Sequence, residues 1–574
     1  MLSRTAIRFV LLSLVACMFL SSLNQTVVGT AMKTIADDLG GLALQAWVTT
    51  AFLIAMTVST PIYGKLSDVF GRRPLVLASM IVFTLGSTLC SFSTDMVQLA
   101  AFRAVQGLGA GGLMSLPLAV IGDVLSPRER AKYQGLFMSV FGVTSVAGPL
   151  IGGLFAGIDT LLGLDGWRWV FLINLPLAAL AFVLCWRFLR LPLRAGRVRI
   201  DWWGTVLVVL VVVPLILVAE QGARWGWTSP LAVGCYVTIL VAFVFFLFVE
   251  QRMGEDAIIP LHLFKNRTFA MVVVLSVLVG YGMFSVMTTL PLYLQVVQQL
   301  APTTAGLALL PQIFAQLLSS MAIGFLLAKL GRTKGVLVAG VTLLLIAFAL
   351  LSTMRFDDPA WRVYLPMVLF GVALGVLLQS LTLSLQTAVD PRDMGVATAS
   401  STFFRSIGGT FGTGITFSML FGTLETTIPA SLARPELASG IAAARQDAAV
   451  TADPANSRIL GLLGGPVGTA AEALNGDTTF LRGADARLAA PFLDAFNESM
   501  TLAYWLGLAV LGGALVLALF LPDQRLGSRS GLEQLREREQ VIPPSEAGSA
   551  PTGTIRLPRV PREGEADAQA PGQQ

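Results

Sequence analysis

The sequence predicts an all-α integral membrane protein. Two six-helix bundles in a pseudo-two-fold relation, plus two extra helices, make fourteen transmembrane helices. Three observations predict it. Of 574 residues, 55% are hydrophobic and only 13% charged, with mean hydropathy +0.75. Soluble domains carry about 25% charged residues, so this chain cannot cover a water-facing exterior and must face lipid. Fourteen apolar runs are long enough to cross a bilayer, and the second half of the chain repeats features of the first. The composition excludes a soluble enzyme, a nucleic-acid binder and a disordered scaffold.

The runs lie near 8–32, 45–63, 74–93, 97–122, 133–158, 168–189, 203–220, 231–249, 269–294, 304–328, 335–353, 363–386, 395–421 and 500–521. Leu14 to Cys17 resembles a lipoprotein cleavage box after Arg4 and Arg8, but the apolar stretch continues past it. A retained first helix is the expectation. Ser, Thr and Gly recur inside the runs, as expected where helices pack on each other rather than on lipid.

Positive charge fixes the expected orientation. With the N-terminus inside, twenty Lys and Arg fall in the cytoplasmic loops. The short outer loops hold only Lys33, Arg168, Arg224, Arg355 and Arg362. Both termini are therefore expected in the cytoplasm. This also accounts for the net charge of +5 without nucleic acid. Residues 423–499 form an outer loop rich in Ala, Gly and polar residues, read as a small cap or a largely mobile segment. Residues 522–574 read as a disordered cytoplasmic tail, rich in Pro, Gly and charge. The expected domains are 1–190 (N-terminal bundle), 200–250 (two extra helices) and 265–521 (C-terminal bundle).

The four cysteines, Cys17, Cys90, Cys185 and Cys235, lie in apolar runs without metal-ligand spacing, and His262 is the one histidine. There is no GxxxxGK[ST] phosphate loop, so ATP is not the expected energy source. No metal or cofactor is expected, and no nucleophile–base constellation points to an enzyme.

The repeat is local and readable. Gly64 to Pro74 is GKLSDVFGRRP, and Gly324 to Lys334 is GFLLAKLGRTK, sharing G-x-L, four residues, then G-R. Pro127-Arg128-Glu129 with Gly148 returns as Pro391-Arg392-Asp393 with Gly412, 264 residues later. Related halves with a site between them are the logic of many secondary transporters. In the first loop, Gly64 and Gly71 permit a tight turn and close approach. Asp68 can lie near a helix start, where the dipole favours a carboxylate, while Lys65, Arg72 and Arg73 anchor one face. Such a loop can latch one conformation and release it when the charges separate. Arg103 and Arg405 lie inside apolar runs. A central arginine costs roughly 2.5–3.5 kcal/mol on insertion scales, so both are candidates for the transport pathway.

These residues resemble the major facilitator superfamily. GKLSDVFGRRP looks like its signature loop, in which the resemblance makes Gly64, Asp68, Gly71, Arg72 and Arg73 a charge latch for alternating access. LAAFRAVQGLGAGG looks like its arginine-containing motif, with Arg103, Gln106 and Gly107 at matching positions. AGPLIGG resembles the antiporter motif of exporters through Gly148, Pro149, Gly152 and Gly153. WRWVFLINLP (Trp167–Pro176) and FFRSIGG (Phe403–Gly409) resemble stretches of the fourteen-span drug–proton antiporter branch.

One departure matters. Where that branch usually has an aspartate in helix 1, this chain has Asn24, which hydrogen-bonds but cannot carry a proton or neutralise a cation. The candidate proton carriers are then Asp68, Asp123 and Glu220. The implied function is efflux of small amphipathic compounds by proton antiport, in the plasma (bacterial inner) membrane, by a monomer. Neutral, amphipathic or anionic substrates are expected. Two alternatives stay open: transport of one endogenous metabolite, lipid or siderophore, and a non-transporting membrane sensor.

Overall fold

A computed structural model describes residues 4–39, 45–189, 201–254, 257–300, 302–390, 393–464, 474 and 479–525. Most of the expected tail, from 526 onward, lies outside the described residues, as does 465–473 of the outer loop. Fourteen long helices organise the rest. They are α1 (Arg4–Asp38), α2 (Gln45–Phe70), α3 (Arg72–Ser91), α4 (Met96–Val124), α5 (Pro127–Ala156), α6 (Asn174–Phe188), α7 (Trp202–Trp225) and α8 (Pro230–Met253). Then come α9 (Arg267–Val296), α10 (Leu310–Leu330), α11 (Lys334–Leu351), α12 (Ala360–Ala388), α13 (Met394–Leu432) and α14 (Ala486–Leu519).

Among the described residues, twelve helices are long and apolar enough to cross a membrane. The two predicted runs missing from that set lie on α5 and α13, of 30 and 39 residues. Both are rich in Gly, Ser and Thr. Each packs on helices of the other half as well as its own, and small and hydroxyl side chains suit such helix–helix contact.

Local chemistry sets the helix ends. Ser126 and Glu129 form a reciprocal capping box before α5, and Asp95 caps α4 by accepting from the Gln98 amide. Gly71 breaks α2 from α3 at φ 90°, and Gly331 ends α10 at φ 65°. These are the glycines of the two G-R steps, and a side chain would be strained at either. A two-stranded hairpin, β1 (Thr160–Leu161) and β2 (Leu164–Asp165), turns the chain between α5 and α6.

The packing repeats with the sequence. In the first half α1 packs on α5 and α6, and α4 on α2 and α3. In the second half α9 packs on α13 and α14, and α12 on α10 and α11, eight helices further on each time. The interface between the halves obeys the same relation, since α5 against α10 is the counterpart of α13 against α2. α7 and α8 pair with each other, and α7 rests on α13 and α2.

The chain between α13 and α14 is shorter than its sequence suggests. α13 runs on to Leu432 and α14 begins at Ala486, so 433–485 remains. Its described part is helical: Pro435–Gln446, Ala448–Ala452 and Ser457–Gly464. Alanine-rich sequence has high helix propensity whatever its polarity, which explains the result. Ile441, Ala444, Val450 and Ile459 join the core cluster of α14, so this is a packed cap.

Candidate functional site

Two constellations hold most of the predicted residues. The first lies at one end of the bundle, opposite the cap. Arg72, the first residue of α3, is buried between carboxylates from two other helices. It pairs with Asp68 on α2 at 2.7 Å and with Asp123 at the end of α4 at 2.7 Å. It also donates to Ser67. Asp68 in turn accepts from the Val396 amide of α13 at 3.3 Å, across the interface between the halves. Arg130, on the first turn of α5, donates to Gln386 of α12 at 3.3 Å, and Gln386 donates to the Leu118 carbonyl of α4 at 3.1 Å. One guanidinium thus joins three helices of the first half, and three side chains stitch that half to the second.

The stitch needs close backbone approach. A Cβ on Gly64 would stand 2.6 Å from the Ala399 Cβ and 3.0 Å from the Gly395 carbonyl oxygen. A Cβ on Gly395 would stand 2.6 Å from the Gly64 carbonyl and from Asp68 Oδ2. Sequence reasoning found Gly64, Asp68, Gly71, Arg72 and Asp123 but missed Gly395, Arg130 and Gln386. The only signal for Gly395 was a glycine just after Pro391-Arg392-Asp393. Arg73 does not join the cluster. It is partly exposed and donates to the Trp186 carbonyl at the end of α6, at 2.7 Å. Successive residues on a helix point about 100° apart, so only one of the two arginines can face Asp68.

The second constellation is inside the first bundle. Arg103 of α4 is 2% exposed. It donates to the Asn24 side-chain oxygen on α1 and to the Gln106 side-chain oxygen, each at 2.7 Å, and its guanidinium lies 4.0 Å from the Phe52 ring centroid on α2. Every acceptor in this set is neutral. Three donors around it, Arg103 Nε, Asn24 Nδ2 and Gln106 Nε2, are buried without a partner. The arrangement is rich in hydrogen-bond donors and lacks a negative charge, so an anion or a strong acceptor would complete it. Arg405, on α13, is half-buried, and its Nη1 has no partner. It is not brought to Arg103 by any described contact.

The glycines of AGPLIGG serve α1–α5 packing. A Cβ on Gly148 would come within 3.0 Å of Thr26 backbone, and one on Gly152 would stand 2.6 Å from the Val27 carbonyl. Thr26 bridges the same helices by donating to the Thr144 carbonyl at 3.0 Å. Gly412 repeats this role on α9, within 2.8 Å of Tyr281 backbone. Gly153 faces open space and packs on nothing. The side chains of Pro149 and Glu220 lie outside the described residues.

A sequence model of the Major Facilitator Superfamily matches residues 14–413. The chain is 36% identical over 400 residues to multidrug transporter protein MdtP of Bacillus subtilis (strain 168), covering 70% of this chain and 72% of that one. It is 34% identical over 422 residues to multidrug resistance protein 3 of the same organism, covering 73% and 80%. Among solved structures it is similar to the proton:xylose symporter XylE, with TM-score 0.58, 14% identity and coverage of 93% and 100%. At that identity the likeness speaks to the fold alone.

Proposed function

The chain belongs to the major facilitator superfamily, and from that premise we propose that it is a secondary active exporter of small amphipathic compounds, driven by proton antiport through alternating access. Relatives named as multidrug transporters support the efflux reading. The observation that carries it is the stitch at one end of the interface. A transporter that alternates must close one side with contacts that can part again. Asp68 with the Val396 amide, and Arg130 with Gln386, are such contacts: polar, few, and set between bundles related by a repeat.

In this reading all fourteen helices span the membrane and both termini are cytoplasmic. The stitched end faces the cytoplasm and the cap 433–485 faces outward. Twenty basic residues in loops on the stitched side support that orientation. Residues 1–190 and 265–521 are the moving bundles, 200–250 the accessory pair, and one chain is the working unit. Gly64, Asp68, Gly71 and Arg72 form the latch. Asn24, Arg103, Gln106 and Arg405 line the pathway. Gly148 and Gly152 hold α5 on α1. The neutral set around Arg103 favours neutral or anionic amphiphiles over quaternary ammonium compounds.

Everted vesicles test this. Energised vesicles should accumulate an anionic amphiphilic dye, and an uncoupler should abolish the accumulation. Uphill transport that survives the uncoupler overturns proton coupling. Preferred export of quaternary ammonium dyes overturns the substrate class.

A further inference from the structure

Asp68 and Asp123 are both committed to Arg72, and Arg130 also acts on Asp123, so the latch carries two carboxylates against two guanidinium groups. It is close to neutral without a proton. A second cluster at the same end is not balanced. Asp201 caps α7, where its Oδ1 accepts from the Gly204 amide at 2.6 Å. Its other oxygen, Oδ2, is buried and has no partner, on a residue 3% exposed. Glu250, in the last turn of α8, is 1% exposed. Its two oxygens accept from the Ile259 amide at long distances, 3.3 and 3.4 Å, and the Ile258 amide also faces it.

The charges acting on Glu250 are Asp201 and Lys65, the lysine of the Gly64–Pro74 stretch. Lys65 also acts on Asp393, just before α13, where Asp390 and His262 are the other titratable neighbours; His262 Nε2 stands 3.6 Å from Asp393 Oδ2. Arg252 does not help, since it is exposed and lies 4.4 Å from the Phe248 ring. Arg197 and Arg199 precede Asp201 in the chain but lie outside the described residues. Among the described residues, Glu250 thus faces a second buried carboxylate and one lysine, and that lysine also acts on a third carboxylate across the interface. A buried charge left uncompensated is strongly destabilising, and a proton is the smallest ligand that removes it.

We propose that Asp201 and Glu250 form the proton-binding site of the transport cycle, and that Lys65 relays its state to the latch. The proposal rests on the proton-coupled reading above and assigns its carrier to the accessory helices. The proton passes from cytoplasmic water to a carboxylate oxygen of the pair, with no other bond made or broken. With the pair ionised, Lys65 is held towards α7 and α8. With one proton bound, Lys65 turns to Asp393 on the far side of the interface. Lys65 and Asp68 are three residues apart on α2, one helical turn, so the same turn carries both the relay and the latch.

The test uses the full chain in lipid nanodiscs and in proteoliposomes. Infrared difference spectra across the neutral pH range should show a protonated-carboxyl band in the wild type. Glu250→Gln should remove it, and Asp201→Asn should remove or shift it. Lys65→Gln removes the compensating cation, so the band should appear at higher pH. In proteoliposomes, Glu250→Gln should lose accumulation driven by a pH gradient while keeping downhill substrate counterflow, which also shows that the variant is folded. An unchanged band in both Glu250→Gln and Asp201→Asn overturns the site. So does gradient-driven accumulation at the wild-type level in Glu250→Gln. A band that Glu250→Gln removes, in a wild type that no proton gradient drives, retires the coupled reading and leaves the proton site standing.

Discussion

Arg103 shows what a single residue contributes. Its charge is held by two amide oxygens and an aromatic face, with buried donors left over. Asn24→Asp would place a carboxylate where a 2.7 Å bond already exists. We expect it to raise thermal stability in detergent, where a hydrogen bond to a charged group is worth about 1.5–3 kcal/mol, and to weaken export of anionic dyes. Loss of stability in that variant would show that Arg103 already has a negative partner. At the latch, Arg72→Ala leaves two buried carboxylates without their cation and should cost about 3–5 kcal/mol. Arg73→Ala, at a partly exposed site with one bond to a carbonyl, should cost only about 0.5–1.5 kcal/mol. Thermal unfolding of the pair of variants checks both. Arg103 and Asn24 were legible in the sequence because a polar residue in an apolar run is conspicuous. Which of two adjacent arginines faces Asp68 was not, since that depends on the phase with which α3 starts after Gly71. Glu250 was also missed, because a carboxylate near a helix end reads as solvated until the fold buries it.

At the scale of elements, the contact of α2 with α13 depends on two glycines that face each other. Gly395→Ala would push a methyl to 2.6 Å from Asp68 Oδ2 and from the Gly64 carbonyl. One partner is backbone and cannot swing away. We expect the latch to loosen, read as faster thiol labelling of a cysteine placed beside Val396. Unchanged labelling would mean that the helices separate without cost. The cap offers a pH test. Arg487 pairs with Asp485 at 2.9 Å and with Asp447 at 3.1 Å, and hydrogen bonds from Arg487 hold both carboxyls below their usual range. A depressed carboxyl stabilises the fold above the ordinary carboxylate range and loses that contribution as pH falls through its own lowered value. Hydrogen exchange in Pro435–Gln446 should therefore rise on strong acidification, and Arg487→Ala should show the raised rate already at neutral pH. The cap helices were invisible to a reading based on hydropathy, which loses its signal where a helix leaves the membrane. Helix propensity does not change at that boundary, so α13 and α14 continue past it.

For the molecule as a whole, the repeat was legible from two short matches, and the packing follows it helix by helix. If the halves rock, a disulfide placed across the stitched end should stop them. Arg130→Cys with Gln386→Cys should lose export on oxidation and regain it on reduction; export that persists when cross-linked would show that this end need not open. The location of α7 and α8 was not legible, because they have no counterpart in the repeat to place them. Their position carries a last consequence. α7, backed by α8, lies against α2 and α13 where these meet, while among the described residues no helix pair of that kind packs on α5 and α10. The two flanks of the molecule therefore present different faces to the bilayer. A greasy molecule arriving sideways from a leaflet meets the accessory pair before it reaches one seam, and at the other it meets α5 and α10 directly.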